Sequence, residues 1–386
     1  RMSIVQSVRQ GVSQRQIARE FGVSRSTVQY WCTRASGKRL DRVDWETRPS
    51  IPHRTTRTSR RIEDTVLAIR KELREFSVLG EYSAQAIRNE LVYRGIDSVP
   101  SVRTIGRILE RRGALDKPRR IRRPPPPPGW YLPAVARRDA ELDSFDVVQG
   151  LVIEGGIDVE VLNGISLHGR LAASWPLPAI TAKVSVEKLT EHWQECGLPG
   201  YVQFDNDTRF QGAHHHKDSF SRVMRLCLSL KVVPVFAPVY EHGFQAQVES
   251  YNGLWQAKVW SRFHHNDIPQ LQHRSKLYVK AHRARTSGKR ESAPMRNEFP
   301  GAWALDLQAP LRGKVIFLRR TDATGKVYLL GQRFSVSDVW LYRLVRCEVD
   351  LDENEISFFT LRRSKPKDHD LVRTIHYSPP TRPFVA

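Results

Sequence analysis

Three carboxylates in this sequence are notable for their settings. Asp146 lies in LDSFDVVQGL between Phe145 and Val147, Asp205 closes the apolar run of YVQFDNDTRF, and Glu249 sits in GFQAQVESYNGLWQAKVW. Hard divalent cations such as magnesium prefer oxygen ligands of this kind. Phosphodiester hydrolysis and strand transfer need an activated oxygen nucleophile and a stabilised leaving oxygen, and two divalent ions about 4 Å apart provide both. Acids brought together from three elements are therefore candidates for work on a nucleic-acid backbone. Two neighbours compete for the same roles: Asp143, three residues before Asp146, and Asp207, two after Asp205. Taken singly, any of these acids is more often a solvated surface charge.

Bringing such groups together requires a sheet with helices on it. Alternation and turn residues predict strands at 145–153, 157–167 and 170–177, then a helix at 185–196. A short strand at 201–205, a helix at 219–229, a strand at 231–236 and a helix at 245–262 follow. Three strands followed by alternating helices and strands describe an α/β layer with a mixed sheet.

The charge along the chain fits a cation site held between DNA-binding flanks. The net charge is +21 over 386 residues. Residues 1–125 carry 28 Lys and Arg against 13 Asp and Glu; residues 138–260 carry 10 against 15; residues 261–386 carry 23 against 13. An acidic middle thus lies between basic ends, and basic ends attract polyanions. The four cysteines form no C-x-x-C pair, which predicts reduced thiols rather than a disulfide framework. No apolar run is long enough to cross a bilayer and no signal-peptide pattern is present, so the expected location is the cytoplasm, on the nucleoid.

In SQRQIAREFGVSRSTVQYWCTR (13–34), Gly22 separates two short helical patterns with Ser13 and Ser24 placed as caps. This is a helix-turn-helix layout, with Arg25, Ser26, Thr27, Gln29 and Tyr30 on the exposed face, able to reach phosphates and base edges. Residues 60–113 predict a second helical module, its last helix presenting Arg103, Thr104 and Arg107. KPRRIRRPPPPP then supplies Arg119, Arg120, Arg122 and Arg123 to a DNA backbone, ahead of a stiff polyproline spacer. On the Glu249 helix, Asn252, Gln256, Lys258 and Arg262 are candidate contacts to a DNA end, while Trp255 and Trp260 read as core. Five short alternating strands within 311–363 predict a small β-barrel, with Arg319, Arg320, Arg343 and Arg346 either contacting a DNA backbone or only solvating the barrel. His214, His215 and His216 read as a solvated loop.

The expected domains are therefore a helix-turn-helix over 1–36, a linker over 37–59 and a second helical module over 60–116. A basic polyproline linker follows over 117–137, then a catalytic core over 138–265, a helical connector over 266–304, a β-barrel over 305–365 and a loose tail over 366–386.

Residues 140–262 resemble the catalytic core of retroviral integrases and bacterial insertion-sequence transposases, a ribonuclease-H-like fold. The matching pattern is Phe145-Asp146, then Asp205-Asn206-Asp207-Thr208-Arg209-Phe210, then Gly243 through Glu249-Ser250-Tyr251-Asn252. Two departures are visible. Asp207 stands where the family has Gly, and the 44 positions from Asp205 to Glu249 exceed the family's common gap, with the surplus around Gln211–Ser219. The resemblance implies that Asp146, Asp205 and Glu249 bind two Mg²⁺ or Mn²⁺ ions. It implies a DNA transposase that acts as a homo-oligomer on the terminal inverted repeats of a mobile element and on target DNA. The rivals are a DNA-binding regulator with an inactive core and a nuclease that cuts without joining. The integrase-type zinc domain has no His/Cys match here, so zinc is not implied.

Overall fold

The computed structural model describes residues 1–47, 58–77, 81–115, 127–213, 216–239, 241, 243–380 and 383–384. The chain forms two compact units, Arg1–Ile62 and Glu63–Ala386.

In the first unit, α1 (Met2–Arg9), α2 (Gln14–Glu20) and α3 (Arg25–Ala35) close on Ile4, Ile17 and Val28, with Val5, Trp31, Ala35 and Val43 alongside. The Ser13 side chain accepts from the Gln16 amide and that of Ser24 from the Thr27 amide, so each helix starts on a satisfied donor. Gly22 takes a positive φ in the turn between α2 and α3, a conformation other residues adopt at a cost. The sequence reading missed α1, which completes this small core.

Three more helices follow, α4 (Arg60–Phe76), α5 (Ala84–Tyr93) and α6 (Val102–Arg111), packed through Val66, Ile69, Ile87, Leu91, Ile105 and Ile108 of the second unit. Glu63 is buried there and pairs with Arg111 and Arg112. A short α7 (Pro133–Ala136) leads into the sheet.

The sheet opens with three antiparallel strands, β1 (Leu142–Ile153), β2 (Ile157–Ser166) and β3 (Ala172–Leu177). After α8 (Ala182–Cys196), β4 (Tyr201–Phe204) returns parallel to β1. Two helices, α9 (Thr208–Gln211) and α10 (Arg222–Ser229), precede β5 (Val233–Phe236), which lies parallel to β4. Then come α11 (Ala246–Trp255), a π-turn at Gln256–Trp260, α12 (Ile268–Arg285) and α13 (Ser287–Glu291). The remaining strands are β6 (Lys314–Arg320), β7 (Lys326–Leu329), β8 (Gln332–Ser335), β9 (Leu344–Asp350), β10 (Glu355–Thr360) and β11 (Leu371–His376).

Strand order β5-β4-β1-β2-β3, with only β2 antiparallel to its neighbours, is the ribonuclease-H-like arrangement that the resemblance implied. One face of the sheet packs Phe145, Leu162, Phe204 and Phe236 against Trp193 of α8 and Met224 of α10. The other packs Val148, Val159 and Val161 against Val248, Tyr251 and Trp255 of α11 and Tyr278 of α12.

Three expectations are corrected. The C-terminal strands show no closure into a separate barrel in the described residues. Instead β6 pairs with β5, and β6, β9, β10 and β11 extend the core sheet to nine strands, while β7 and β8 form a hairpin apart. Residues 128–137 are not all linker: Trp130, Tyr131, Leu132 and Val135 are buried with Phe244, Val235 and Ile316. The tail assigned to loose chain contains β11. Arg119, Arg120, Arg122, Arg123 and the first three residues of the proline run, 124–126, lie outside the described residues.

Gly164 of β2 stands directly across from Phe145, whose ring fills the space a side chain would take; a Cβ there would lie 2.2 Å from the ring. Phe145 precedes Asp146, so the fit bears on the site. Gly164→Ala is expected to lower stability by about 1–3 kcal/mol through overpacking. Denaturant titration with an unchanged m-value measures it.

Candidate active site

The register of the parallel pair explains the first spacing in the sequence. Leu142, Asp143 and Ser144 of β1 pair with Tyr201, Val202 and Gln203 of β4, each 59 positions later. Asp205 is also 59 positions after Asp146, so the same register carried past the end of β4 sets the two acids side by side. β4 stops at Phe204 while β1 runs on, which leaves the edge of β1 open at that point.

Asp143 and Asp146 are three residues apart in one strand and so point to opposite faces. Asp143 faces α8. It is fully buried, accepts from Trp193 Nε1 at 3.2 Å and takes both arms of Arg296 at 2.9 and 2.7 Å. That makes it a structural ion pair. Asp146 faces α11 and is only partly buried.

The third acid comes from α11, whose buried face of Val248, Tyr251, Asn252 and Trp255 lies on β1 and β2. Glu249 is exposed, one turn before Asn252. Asn252 Nδ2 donates to Asp146 Oδ2 at 2.7 Å, and Asn252 Oδ1 accepts from Asn163 Nδ2 at 2.9 Å. Asn163 is the cross-strand partner of Asp146 on β2. Asn252, expected as a DNA contact, is instead buried and orients Asp146. Asn163 escaped the sequence reading because only the strand register reveals it.

Burial raises the Asp146 pKa above the usual carboxylate range, and the nearby Glu249 and Asp207 charges push it further; the Val147 amide and Asn252 oppose the rise. Asp205 is pushed up to about 6, first by burial, then by the charges of Asp146 and Asp207. The acids therefore feel one another's charge. Among the described residues, none of Asp146, Asp205 and Glu249 has an ion-pair partner.

Asp207 is occupied differently. It caps α9 through the Arg209 amide at 2.8 Å and binds the Arg209 guanidinium at 2.9 and 2.5 Å; Arg209 also reaches Glu160 at 3.3 Å. The acid that replaces the family's Gly is thus held by an arginine beside the site. Asn206 Nδ2 donates to the Ala237 carbonyl at 2.6 Å and fastens the end of β4 to that of β5.

Other residues singled out in the sequence divide cleanly. On α3, Arg25, Ser26, Gln29 and Tyr30 are exposed and Thr27 is half-buried, with the Ser26 and Thr27 hydroxyls bonded to Ser24 at the cap. On α6, Arg103 and Arg107 are exposed and Thr104 lies half-buried against Ser101. Gln256 is half-buried on the π-turn. Arg262, expected at DNA, donates to the Glu75 and Ser77 carbonyls at the end of α4, and Lys258 lies over the Tyr82 ring. Both face the second helical module. Arg319 and Arg346 are buried and spend their donors within the protein, on Ala237, Gln211 and Tyr328 for the first and on Tyr131, His369 and Glu348 for the second. Arg320 pairs with Glu241, while Arg343 is exposed. Trp255 is fully buried, as expected. His216 is exposed; His214 and His215 lie outside the described residues.

One tight group of possible metal ligands, His192, Glu195 and Cys196, occurs on α8. A cation already serves it. Arg283 reaches Glu195 at 2.6 Å and His192 Nδ1 at 3.4 Å, and burial pushes the His192 pKa down to about 3.

A family model described as a helix-turn-helix domain matches residues 1–35, the three helices of the first unit. A search of curated proteins finds no match. Among solved structures, the chain is similar to one in a cryo-electron-microscopy structure of a simian T-cell lymphotropic virus intasome in complex with PP2A regulatory subunit B56 gamma. Identity is 13%, coverage 70% of this chain and 87% of that one, and the TM-score 0.32. It is also similar to the catalytic core domain of BIV integrase, with 14% identity, coverage of 36% and 81%, and a TM-score of 0.26. Superpositions this loose leave the fold assignment resting on strand order, register and layers. No helix among the described residues is long and apolar enough to cross a membrane.

Proposed function

We propose that this chain is a DNA transposase of the insertion-sequence kind, which cleaves the 3′ ends of a mobile element and joins them to target DNA. The observation that carries the reading is the parallel register that sets Asp146 beside Asp205, with Glu249 within electrostatic reach on α11.

The donor set fits hard divalent cations. It is all oxygen, with Asp146 and Asp205 partly buried and Glu249 exposed, and its charges repel one another. Asp146, Asp205 and Glu249 would hold two Mg²⁺ or Mn²⁺ ions, which when bound activate a water or a 3′-hydroxyl and stabilise the leaving oxygen. The chain's own residues supply the rest. Asn163 fixes Asn252, and Asn252 fixes the Asp146 carboxylate. Arg209 holds Asp207 to one side. On the first unit, Arg25, Gln29 and Tyr30 of α3 face outward to read a terminal repeat in a major groove. Arg103 and Arg107 of α6 serve a second stretch of the same DNA. Cutting and joining both ends of an element requires two ends held together, so the working form is a homo-oligomer on DNA.

Asn252→Ala is expected to slow joining by about 10–100-fold, the usual effect of removing a partner that orients a ligand. Asn252 is buried and its loss leaves Asn163 without a partner, so the melting temperature is expected to fall as well and joining is compared where both proteins are folded. Joining at wild-type rate would remove Asn252 from the account.

The reading itself is tested with a labelled duplex carrying the repeats that flank the gene, a target plasmid and Mg²⁺ or Mn²⁺. Nicked ends and joined products are expected. Tight binding without either would favour a DNA-binding regulator with an inactive core, and nicking without joining would favour a nuclease.

A further inference from the structure

The extra residues between Asp205 and Glu249 have a place in the structure. His216 and Asp218, described residues of this stretch, lie against the turn between β7 and β8. The Asp218 amide donates to the Leu330 carbonyl at 2.9 Å, and Gly331 lies so close to the loop that a Cβ would sit 2.4 Å from the His216 carbonyl oxygen. The β7–β8 hairpin therefore holds the loop in position.

Behind the loop lies a cavity of about 600 Å³. Thr208, Lys217, Ser219, Arg222, Arg225 and Phe384 are among the residues that line it. Thr208, the first residue of α9, is three residues past Asp205, so the cavity reaches the helix that follows the second carboxylate. Arg225 is 9% exposed, its Nε has no hydrogen-bond partner, and its Nη1 reaches only the Ala309 carbonyl at 3.4 Å. Neither Arg225 nor Arg222 has an ion-pair partner among the described residues; both guanidinium groups lie about the Phe384 ring, at 5.0 and 5.4 Å. Two cations on one ring repel each other, and an anion between them would relieve that. Ser221, also on the wall, caps α10 and places the positive end of that helix there. Asp218 also lines the cavity, but its carboxylate is held by two donors, accepting from Gln332 Nε2 at 2.8 Å and the Tyr377 hydroxyl at 2.9 Å.

We infer that this cavity binds the phosphodiester backbone of a DNA strand, with Lys217, Arg222 and Arg225 as its cations. The choice of DNA over another polyanion rests on the function proposed above. The inserted loop thereby adds a backbone contact beside the carboxylate site.

The test uses the full chain and a fluorescent duplex of arbitrary sequence, with anisotropy followed over a salt series. K217E/R222E is expected to raise Kd about tenfold and to make the salt slope shallower by about 2, since each lost phosphate contact removes about 0.9. Its melting temperature should match wild type, because Lys217 is exposed and Arg222 half-buried. Arg225→Gln tests the buried cation, and the double variant decides if that one fails to fold. Unchanged Kd and slope would overturn the inference. End cleavage and joining, assayed separately, identify the strand: loss of joining alone marks the target, and loss of cleavage marks the element end. A wild type whose DNA binding shows the expected response to K217E/R222E, yet which neither cuts nor joins, would sink the transposase reading and leave the cavity standing.

Discussion

Glu249→Gln or Asp205→Asn is expected to lower end cleavage and joining by at least ~10³-fold while leaving DNA affinity near wild type. Each swap keeps the side chain's shape and removes one negative charge. Charge stabilisation at such a centre amounts to several kcal/mol, and every 1.36 kcal/mol is tenfold in rate, hence the magnitude. The two positions differ in what else they touch. Glu249 is exposed, so its loss leaves packing intact. Asp205 accepts from the Asp207 amide at 3.0 Å, a bond an Asn carbonyl also accepts. Neither variant is therefore expected to unfold. A variant that still joins DNA would remove that residue from the site. By contrast, Asp143→Asn should damage stability more than chemistry, because Asp143 serves Arg296 on the other face of β1.

That ion pair carries the second large effect. Arg296→Ala leaves the Asp143 carboxylate buried and without its cation, a loss of about 3–5 kcal/mol and a fall in melting temperature on the order of 10 °C. Burial alone would raise the Asp143 pKa, but the Arg296 charge and hydrogen bonds outweigh it and hold the group below its usual range. The wild-type contribution is therefore present above the ordinary carboxylate range and fades as pH falls through the folded-state value. In the variant the sign reverses: burial now raises the pKa, so acidification lets the folded state take up a proton. The gap between variant and wild type should narrow from pH 7 towards pH 4 in thermal melts. A gap that widens, or an Arg296→Ala protein as stable as wild type at pH 7, would contradict the assignment. Replacing both partners by apolar residues of similar size is expected to recover much of the loss.

Much of the site was legible in the sequence because its spacings are structural. The 59 positions from Asp146 to Asp205 are the offset of a parallel pair, and the apolar residues beside each acid mark strand interiors. Serine caps at Ser13 and Ser24 announced two helices, and both start where the serines stand. The failures were of kinds that local pattern cannot resolve. Alternation in β6, β9 and β10 reads alike whether strands close a barrel or extend a sheet; only the pairing of Val235 with Ile316 and Phe236 with Phe317 decides. β11 is an edge strand with little burial on either face, so it lacks the apolar signal of a strand. Tyr131 follows a proline run and looked like linker, yet its hydroxyl lies within hydrogen-bond distance of Gln203 Oε1 and the Phe244 carbonyl within the core. Arg319 and Arg346 read as DNA contacts or solvated surface and Arg262 as a DNA contact, because charge predicts exposure on average, whereas here each donates to backbone carbonyls.

The central claim is that Asp146, Asp205 and Glu249 form one divalent-cation site, and a Mn²⁺ titration followed by electron paramagnetic resonance tests it most directly. Wild-type protein is compared with Asp205→Asn under identical conditions. Bound Mn²⁺ in the wild type, with that binding lost or greatly weakened in the folded variant, is the predicted result. Equal Mn²⁺ binding by both proteins, or none by the wild type, would contradict the account.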